Sequence, residues 1–250
     1  MAKKMQTADP IKALLFPFHD QAWLKKLAIA CLLVFLGFVP VLSIALLLGY
    51  MAEIIKRIVI KEEEPSLPEW DDFSSFFTDG LRLFGIGVVY LLPSTSLFVL
   101  GYLGVFLPVL LMQANIADEG TALALVTVGY LAAIGLMACA ALISIFTGII
   151  LPIAGIHATV KGDFKAAFQF KEIWFIMKAN WSGILLAFLI VIGASFFLYY
   201  GTYFLAATII FCCLYPLATC LMIAYLGLAS AGLFGEAYKI GLANLPAEEK

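Results

Sequence analysis

Glu53–Arg82, EIIKRIVIKEEEPSLPEWDDFSSFFTDGLR, is a polar island between two long apolar blocks, and its charges decide how the chain is threaded. The island holds Lys56, Arg57, Lys61 and Arg82. The rest of the fifteen Lys and Arg residues fall in three other places: before Leu27, from Lys161 to Lys178, and from Lys239 onward. The remaining connections have none, and Gln113–Thr121 holds Asp118 and Glu119 instead. If basic residues stay cytoplasmic, those four segments share one face, and each apolar block between them crosses an even number of times.

Composition sets the solvent. Hydrophobic residues make up 64% of the chain, charged residues 13%, and the mean hydropathy is +1.04, which is too apolar for a water-solvated surface. Long unbroken apolar runs, rather than short alternating strands, point to helices in lipid. A net charge of −2 provides no basic field for nucleic acid. The five cysteines, Cys31, Cys139, Cys212, Cys213 and Cys220, lie inside apolar blocks without CxxC spacing and read as small hydrophobes. No A-x-A site follows the run that starts near Leu27, so no cleavable signal peptide is expected.

Outward from the island, Leu27–Ala52 is long enough for one span but is interrupted by Gly37, Phe38, Val39 and Pro40. By charge, a short or re-entrant hairpin bent there is favoured over the alternative, a single span. Leu83–Met112 and Leu123–Ile156 form a second hairpin closed by QANIADEGT, with Pro93, Pro108 and Pro152 expected to kink or end helices. Ile184–Leu198 and Phe204–Leu233 form a third, closed by YYGTY, with a kink at Pro216. Tyr199, Tyr200 and Tyr203 suit an interfacial aromatic belt. The expected fold is therefore an all-α integral membrane protein, a single membrane domain over 1–250 with hairpin units at roughly 8–60, 66–161 and 163–240.

Each hairpin is preceded by an aromatic amphipathic stretch suited to an interfacial helix: LLFPFHDQAWLKK, EWDDFSSFFTDGLRLF and DFKAAFQFKEIWFIMK. In the first, Ile11, Leu14, Leu15 and Phe18 recur at helical spacing. Two hairpins also end alike, since Gly49, Glu53 and Lys56 stand at the spacing of Gly232, Glu236 and Lys239. Together these features describe a threefold pseudo-repeat. Gly227, Ala231 and Gly235 recur every four residues as a packing seam, as do Gly129 and Ala133. No ionisable Asp, Glu, Lys, Arg or His lies between Leu83 and Ala117, Thr121 and Ile156, or Trp181 and Gly235, which counts against an ion-coupled transporter.

Within the island, Ser66 and Glu69 fit a capping box that starts a helix, with Asp71 and Asp72 in its first turn. On that helix Trp70, Phe73, Phe76 or Phe77, and Leu81 would face lipid, and Asp72 and Asp79 would share the other side. Glu69, Trp70, Asp71, Asp72, Asp79 and Gly80 are the candidate cytosolic motif. Its acids could hold a divalent cation or a partner; the simpler reading is an interfacial helix whose acids are solvated or pair with Lys56, Arg57 and Arg82. Neither His19 nor His157 has a carboxylate or cysteine at ligand spacing, so each reads as a satisfied interfacial histidine. The aspartate spacings of membrane prenyl transferases and CDP-alcohol phosphotransferases are met only in fragments. No GxSxG, HExxH or GxxxxGK[ST] occurs. No catalytic residue, metal or cofactor is assigned.

GYMAEIIKRI, LPEWDDF, FTDGLRLF and GDFKAAFQFKEIW are similar to a prokaryotic family of multi-pass membrane proteins of unknown function, number four thousand and thirteen in the DUF series. The resemblance runs from about Ile11 to Tyr238. It singles out Gly49, Tyr50, Pro68, Glu69, Trp70, Asp71, Asp72, Asp79, Gly80, Asp163, Phe164, Ala167 and Phe168. It implies an architecture and no mechanism. The expected role is a non-enzymatic membrane-organising or scaffold protein of the cytoplasmic membrane, with both termini cytoplasmic. Its partners would be the lipid bilayer and a membrane or cytosolic protein or a second copy. The alternatives are a permease or lipid-translocating protein without ion coupling and, further behind, an enzyme using a divalent cation at Asp71, Asp72 and Asp79.

Overall fold

The computed structural model describes residues 10–36, 40–114, 118–208 and 212–245, and these are mostly helical with no strand among them. Eight α-helices follow in order: α1 (Pro10–Leu15), α2 (Trp23–Phe35), α3 (Pro40–Val59), α4 (Phe73–Gln113), α5 (Glu119–Lys161), α6 (Phe170–Ala179), α7 (Trp181–Ala207) and α8 (Tyr215–Ala243). Short 3₁₀ turns occupy Phe16–His19, Phe164–Phe168 and Cys212–Leu214. Four helices are long and apolar enough to cross a membrane: Phe73–Gln113, Leu123–Lys161, Trp181–Leu205 and Tyr215–Ala243.

The chain divides into two compact units. The second, Ile86–Pro152, contains no Lys or Arg, so every basic residue belongs to the first. In the second unit α4 and α5 run antiparallel. The Gly104 and Gly129 backbones nearly touch, Gly101 lies under Met137, and the Thr147 hydroxyl reaches the Tyr90 carbonyl at 3.5 Å. With no apolar surface to gain from leaving lipid, this closeness supplies the packing. At 41 and 43 residues, α4 and α5 are each about 60 Å long, twice a hydrocarbon core.

The first unit, residues 1–85 and 153–250, is built around α8, which packs against α1, α2, α3, α6 and α7. Small residues allow this. Gly227 and Gly235 leave room for Met51 and Ile58 of α3, so the predicted seam is filled by a helix running parallel to α8. Gly232 receives the Phe16 ring, and Gly241 receives the Ile176 carbonyl, where an added Cβ would lie 2.8 Å from the oxygen. α7 returns along α8 in the opposite sense, with Phe188 edge-on to Phe234 at 4.7 Å and Asn180 donating to the Ala237 carbonyl at 2.8 Å.

Several expected boundaries move. YYGTY closes nothing: α7 continues through it to Ala207, because Tyr, Thr and one glycine do not stop a helix whose backbone groups have no water to turn to. Pro216 lies in the first turn of α8, where a missing N–H costs no hydrogen bond, and so it starts that helix instead of kinking it. Pro93, Pro108 and Pro152 all sit inside continuous helices and end none. The second aromatic stretch is not a separate interfacial helix, since Phe73–Arg82 is the opening of α4 itself. The first is shorter than its spacing suggested: Pro17 confines α1 to six residues and a 3₁₀ turn. The proposed bend at Gly37, Phe38 and Val39 lies outside the described residues.

Candidate functional site

The polar island folds as a strap across the α2–α3 pair. Pro65 and Pro68 disfavour helix at the residues before them, so Glu62–Glu69 is non-helical and the expected capping box does not form. Asp72 caps α4 instead, its carboxylate accepting from the Ser75 N–H at 3.0 Å. Glu69 is thereby released from the helix and turns to Lys26.

Lys26 is the centre of the arrangement. Its side chain is only 4% exposed, and its ammonium donates to Asp20 at 2.8 Å, to the Leu67 carbonyl at 2.9 Å and to Glu69 at 2.6 Å. An ammonium has three protons, and all three are used. The strap answers from the other side, as the Trp70 indole N–H donates to the Lys26 carbonyl at 3.3 Å. Tyr50, buried on α3, donates its hydroxyl to the Pro68 carbonyl at 2.8 Å. Trp70 stacks on the Tyr50 ring with centroids 4.0 Å apart, and Phe76 meets both rings edge-on. Trp70 and Phe76 therefore face protein here, whereas Phe73 and Leu81 of the expected lipid-facing stripe are exposed.

The strap reports the direction of α2 and α3. Lys26 near the start of α2 and Tyr50 in the second half of α3 both meet residues 67–70, and Ser43 donates back to the Leu36 carbonyl at 2.9 Å. Collinear helices would hold residues 26 and 50 about 36 Å apart. The two helices run in opposite directions.

Beneath the strap, Gly49 and Gly80 are the points where α3 and α4 touch. A Cβ on Gly49 would overlap the Phe76 carbonyl, and one on Gly80 would overlap the Ala45 carbonyl. Around this crossing Asp79 pairs with Lys56 and, at 3.3 Å, with Arg82; Glu53 takes Arg57 at 3.5 Å and Lys61 at 2.9 Å. The acids of the candidate motif thus go to separate duties: Glu69 to Lys26, Asp72 to a cap, Asp79 to two cations, while Asp71 is exposed. They do not converge, and among the described residues no three His, Cys, Asp or Glu side chains could hold a metal ion. In the second copy of the glycine motif, Gly232 is pressed by Phe16, and Glu236 and Lys239 are half-buried on α8.

A second polar centre joins α5, α6 and α8. The buried His157 ring contacts the Tyr238 hydroxyl through Nδ1 at 2.7 Å and Gln169 Oε1 through Nε2 at 3.2 Å. Lys161 also donates to that Gln169 oxygen at 3.0 Å, so in the neutral ring Nε2 is the donor and Nδ1 accepts from Tyr238. Glu172 stands 3.5 Å from Nε2 and pairs with Lys161, whose hydrogen bond holds its carboxyl below the usual range. Both ring nitrogens are engaged. Sequence spacing pointed to neither Tyr238 nor Gln169 as partners, and it read Lys26 only as a basic flank. The ambiguity lies in the numbers: Tyr238 is 81 residues from His157, and Leu67 is 41 from Lys26. His19 is exposed.

The family model described as Protein of unknown function (DUF4013) matches residues 32–207. That range holds the strap, the Gly49–Gly80 crossing and three of the four long apolar helices. The chain belongs to the DUF4013 family. Of the residues singled out by the resemblance, Tyr50, Pro68 and Trp70 meet one another, and Gly49 and Gly80 meet at the α3–α4 crossing. No curated protein and no solved structure matches this DUF4013 chain.

Proposed function

We propose that this DUF4013 protein is a non-enzymatic membrane-organising protein, whose α2–α3 pair enters only the cytoplasmic leaflet and widens it. The observation that carries this reading is the strap. α2 is 13 residues, about 20 Å, too short to cross, and it is tied at Lys26 to the same four residues that hold Tyr50 of α3. The apolar part of α3, residues 40–52, is likewise only 13 residues before Glu53, and a helical pair anchored at one end with apolar lengths too short to span is a wedge, which in one leaflet alters packing and curvature. Both termini are placed in the cytoplasm by the same charge argument, and the membrane is the cytoplasmic one. A scaffold for a membrane or cytosolic partner, or for a second copy, is compatible with the same exposed aromatic elements. Full occupancy of Lys26, Glu69 and Asp79 by internal partners speaks for a holding role rather than a reacting one.

The test is reconstitution of the purified chain into vesicles imaged by electron cryomicroscopy. Narrowed or tubulated vesicles, relative to protein-free controls, are expected. Unchanged vesicles together with no membrane protein co-purifying would overturn the reading. If the same vesicles flipped fluorescent lipid, the permease or lipid-translocating alternative would replace it.

A further inference from the structure

Of the twelve described basic residues, seven have a carboxylate partner. Lys12, Lys26, Lys56, Arg57, Lys61, Arg82 and Lys161 are all in ion pairs. Five described cations are in no ion pair: Lys25 on α2, the half-buried Lys239 on α8, and Lys165, Lys171 and Lys178, which are all exposed on the single stretch from Asp163 to Lys178. Three uncovered cations gathered on one stretch, where most other described cations are neutralised, fit something anionic outside the chain.

The order of residues on α6 sharpens this. Ile173, Ile176 and Met177 are buried, with the Ile176 carbonyl seated on Gly241. Lys171, Trp174, Phe175 and Lys178 stand at i, i+3, i+4 and i+7 and so form one stripe on the opposite side. Trp174 is 60% and Phe170 55% exposed, Phe164 lies open at the preceding 3₁₀ turn, and Lys171 sits 6.0 Å from the Phe175 centroid. Aromatic rings interleaved with cations belong at a headgroup surface, where one end of the ring is wet and the other dry. The chain itself puts them there: α6 ends at Ala179, and the apolar span of α7 starts at Trp181. Of the nearby acids, one is neutralised and one caps the 3₁₀ turn, leaving three cations against a single uncompensated carboxylate on this stretch. Glu172 is held by Lys161, and Asp163 accepts from the Lys165 N–H at 3.1 Å.

We propose that Lys165, Lys171 and Lys178, with Phe164, Phe170 and Trp174 between them, bind the phosphates of anionic lipid headgroups. This rests on the membrane-surface placement proposed above, and it adds a lipid class that the wedge does not require. The three ammonium groups select charge, and the rings seat the face at the depth of the phosphates.

The experiment uses the full chain in nanodiscs containing dibromo-phosphatidylglycerol or dibromo-phosphatidylcholine, at equal mole fraction. Trp174 emission is read as the difference between the parent protein and Trp174→Phe. Stronger quenching by the brominated glycerol lipid is expected, corresponding to a relative association constant roughly tenfold higher at low salt and falling as salt is added. The triple variant Lys165→Gln, Lys171→Gln, Lys178→Gln, with all three changes on exposed side chains, should lose the preference. The pair Lys25→Gln, Lys239→Gln should keep it. Equal quenching by both lipids in the parent protein, or a preference that survives the triple change, overturns the proposal. Absence of quenching by either lipid overturns it too. Vesicle narrowing is scored separately on the triple variant: narrowing without lipid preference sinks this inference alone, whereas preference without narrowing sinks the wedge alone.

Discussion

Lys26 and the glycines beneath the strap show how single side chains set this structure. Lys26→Met would leave Asp20, 19% exposed, facing an apolar chain, at a cost of about 3 kcal/mol. Glu69 is 66% exposed and can return to water, so Glu69→Gln should cost under about 1 kcal/mol. Thermal unfolding in detergent measures the difference. The same pair sets a pH dependence. Burial works against the Asp20 carboxylate, but the Lys26 hydrogen bond and the Ala22 N–H outweigh it and hold its pKa below the ordinary value. A depressed carboxylate contributes stability that is complete above its unfolded pKa, about 3.9, and lost as pH falls through the folded value. Burial likewise disfavours the Lys26 ammonium, yet its bonds to Asp20 and Glu69 raise its pKa, so its contribution fades only as pH rises through that raised value. Tm should be level from about pH 5 to 9 and fall below about pH 4. Gly80→Ala and Gly49→Ala each push a methyl into a backbone carbonyl that cannot rotate away, and each should cost at least about 3 kcal/mol. Gly87→Ala and Gly135→Ala meet nothing within 4 Å and should be neutral or slightly stabilising.

Among the elements, α4 shows what sequence could and could not tell. Its existence is legible in the apolar run after Arg82, and LPEWDDF and FTDGLRLF draw attention to Trp70, Asp72 and Gly80 without saying what they touch. Where the helix begins was misread. Ser-Leu-Pro-Glu has the letters of a capping box, but Pro68 disfavours helix at Leu67, and the cap moves six residues on, from Ser66 to Asp72. Glu69 and Trp70 become strap, and Asp72 becomes the cap. Asp72→Ala should therefore cost about 1 kcal/mol while Ser66→Ala costs almost nothing, a contrast that a capping box would reverse. Paired unfolding curves decide it. The α7 boundary failed for a related reason. Tyrosines that suit an interface also suit a helix, and nothing in YYGTY says where the water is. The His157 partners were invisible because no local rule links α5 to α8.

For the molecule as a whole, hydropathy and charge carried the argument, because they are sums over many residues and tolerate local errors. The apolar blocks became four long helices, and every Lys and Arg falls in the unit formed by residues 1–85 and 153–250. That concentration supports the proposal that the basic segments face the cytoplasm and that α2–α3 returns to the side it left. The most direct measurement replaces the native cysteines and introduces single ones at Lys4, Lys61, Asp118, Lys171 and Lys250, then labels intact cells with an impermeant maleimide. Labelling of Asp118→Cys alone, with the four lysine positions reacting only after permeabilisation, is the predicted result. Labelling of Lys4→Cys from outside while Lys61→Cys stays protected would contradict it, since α2–α3 would then cross the bilayer once.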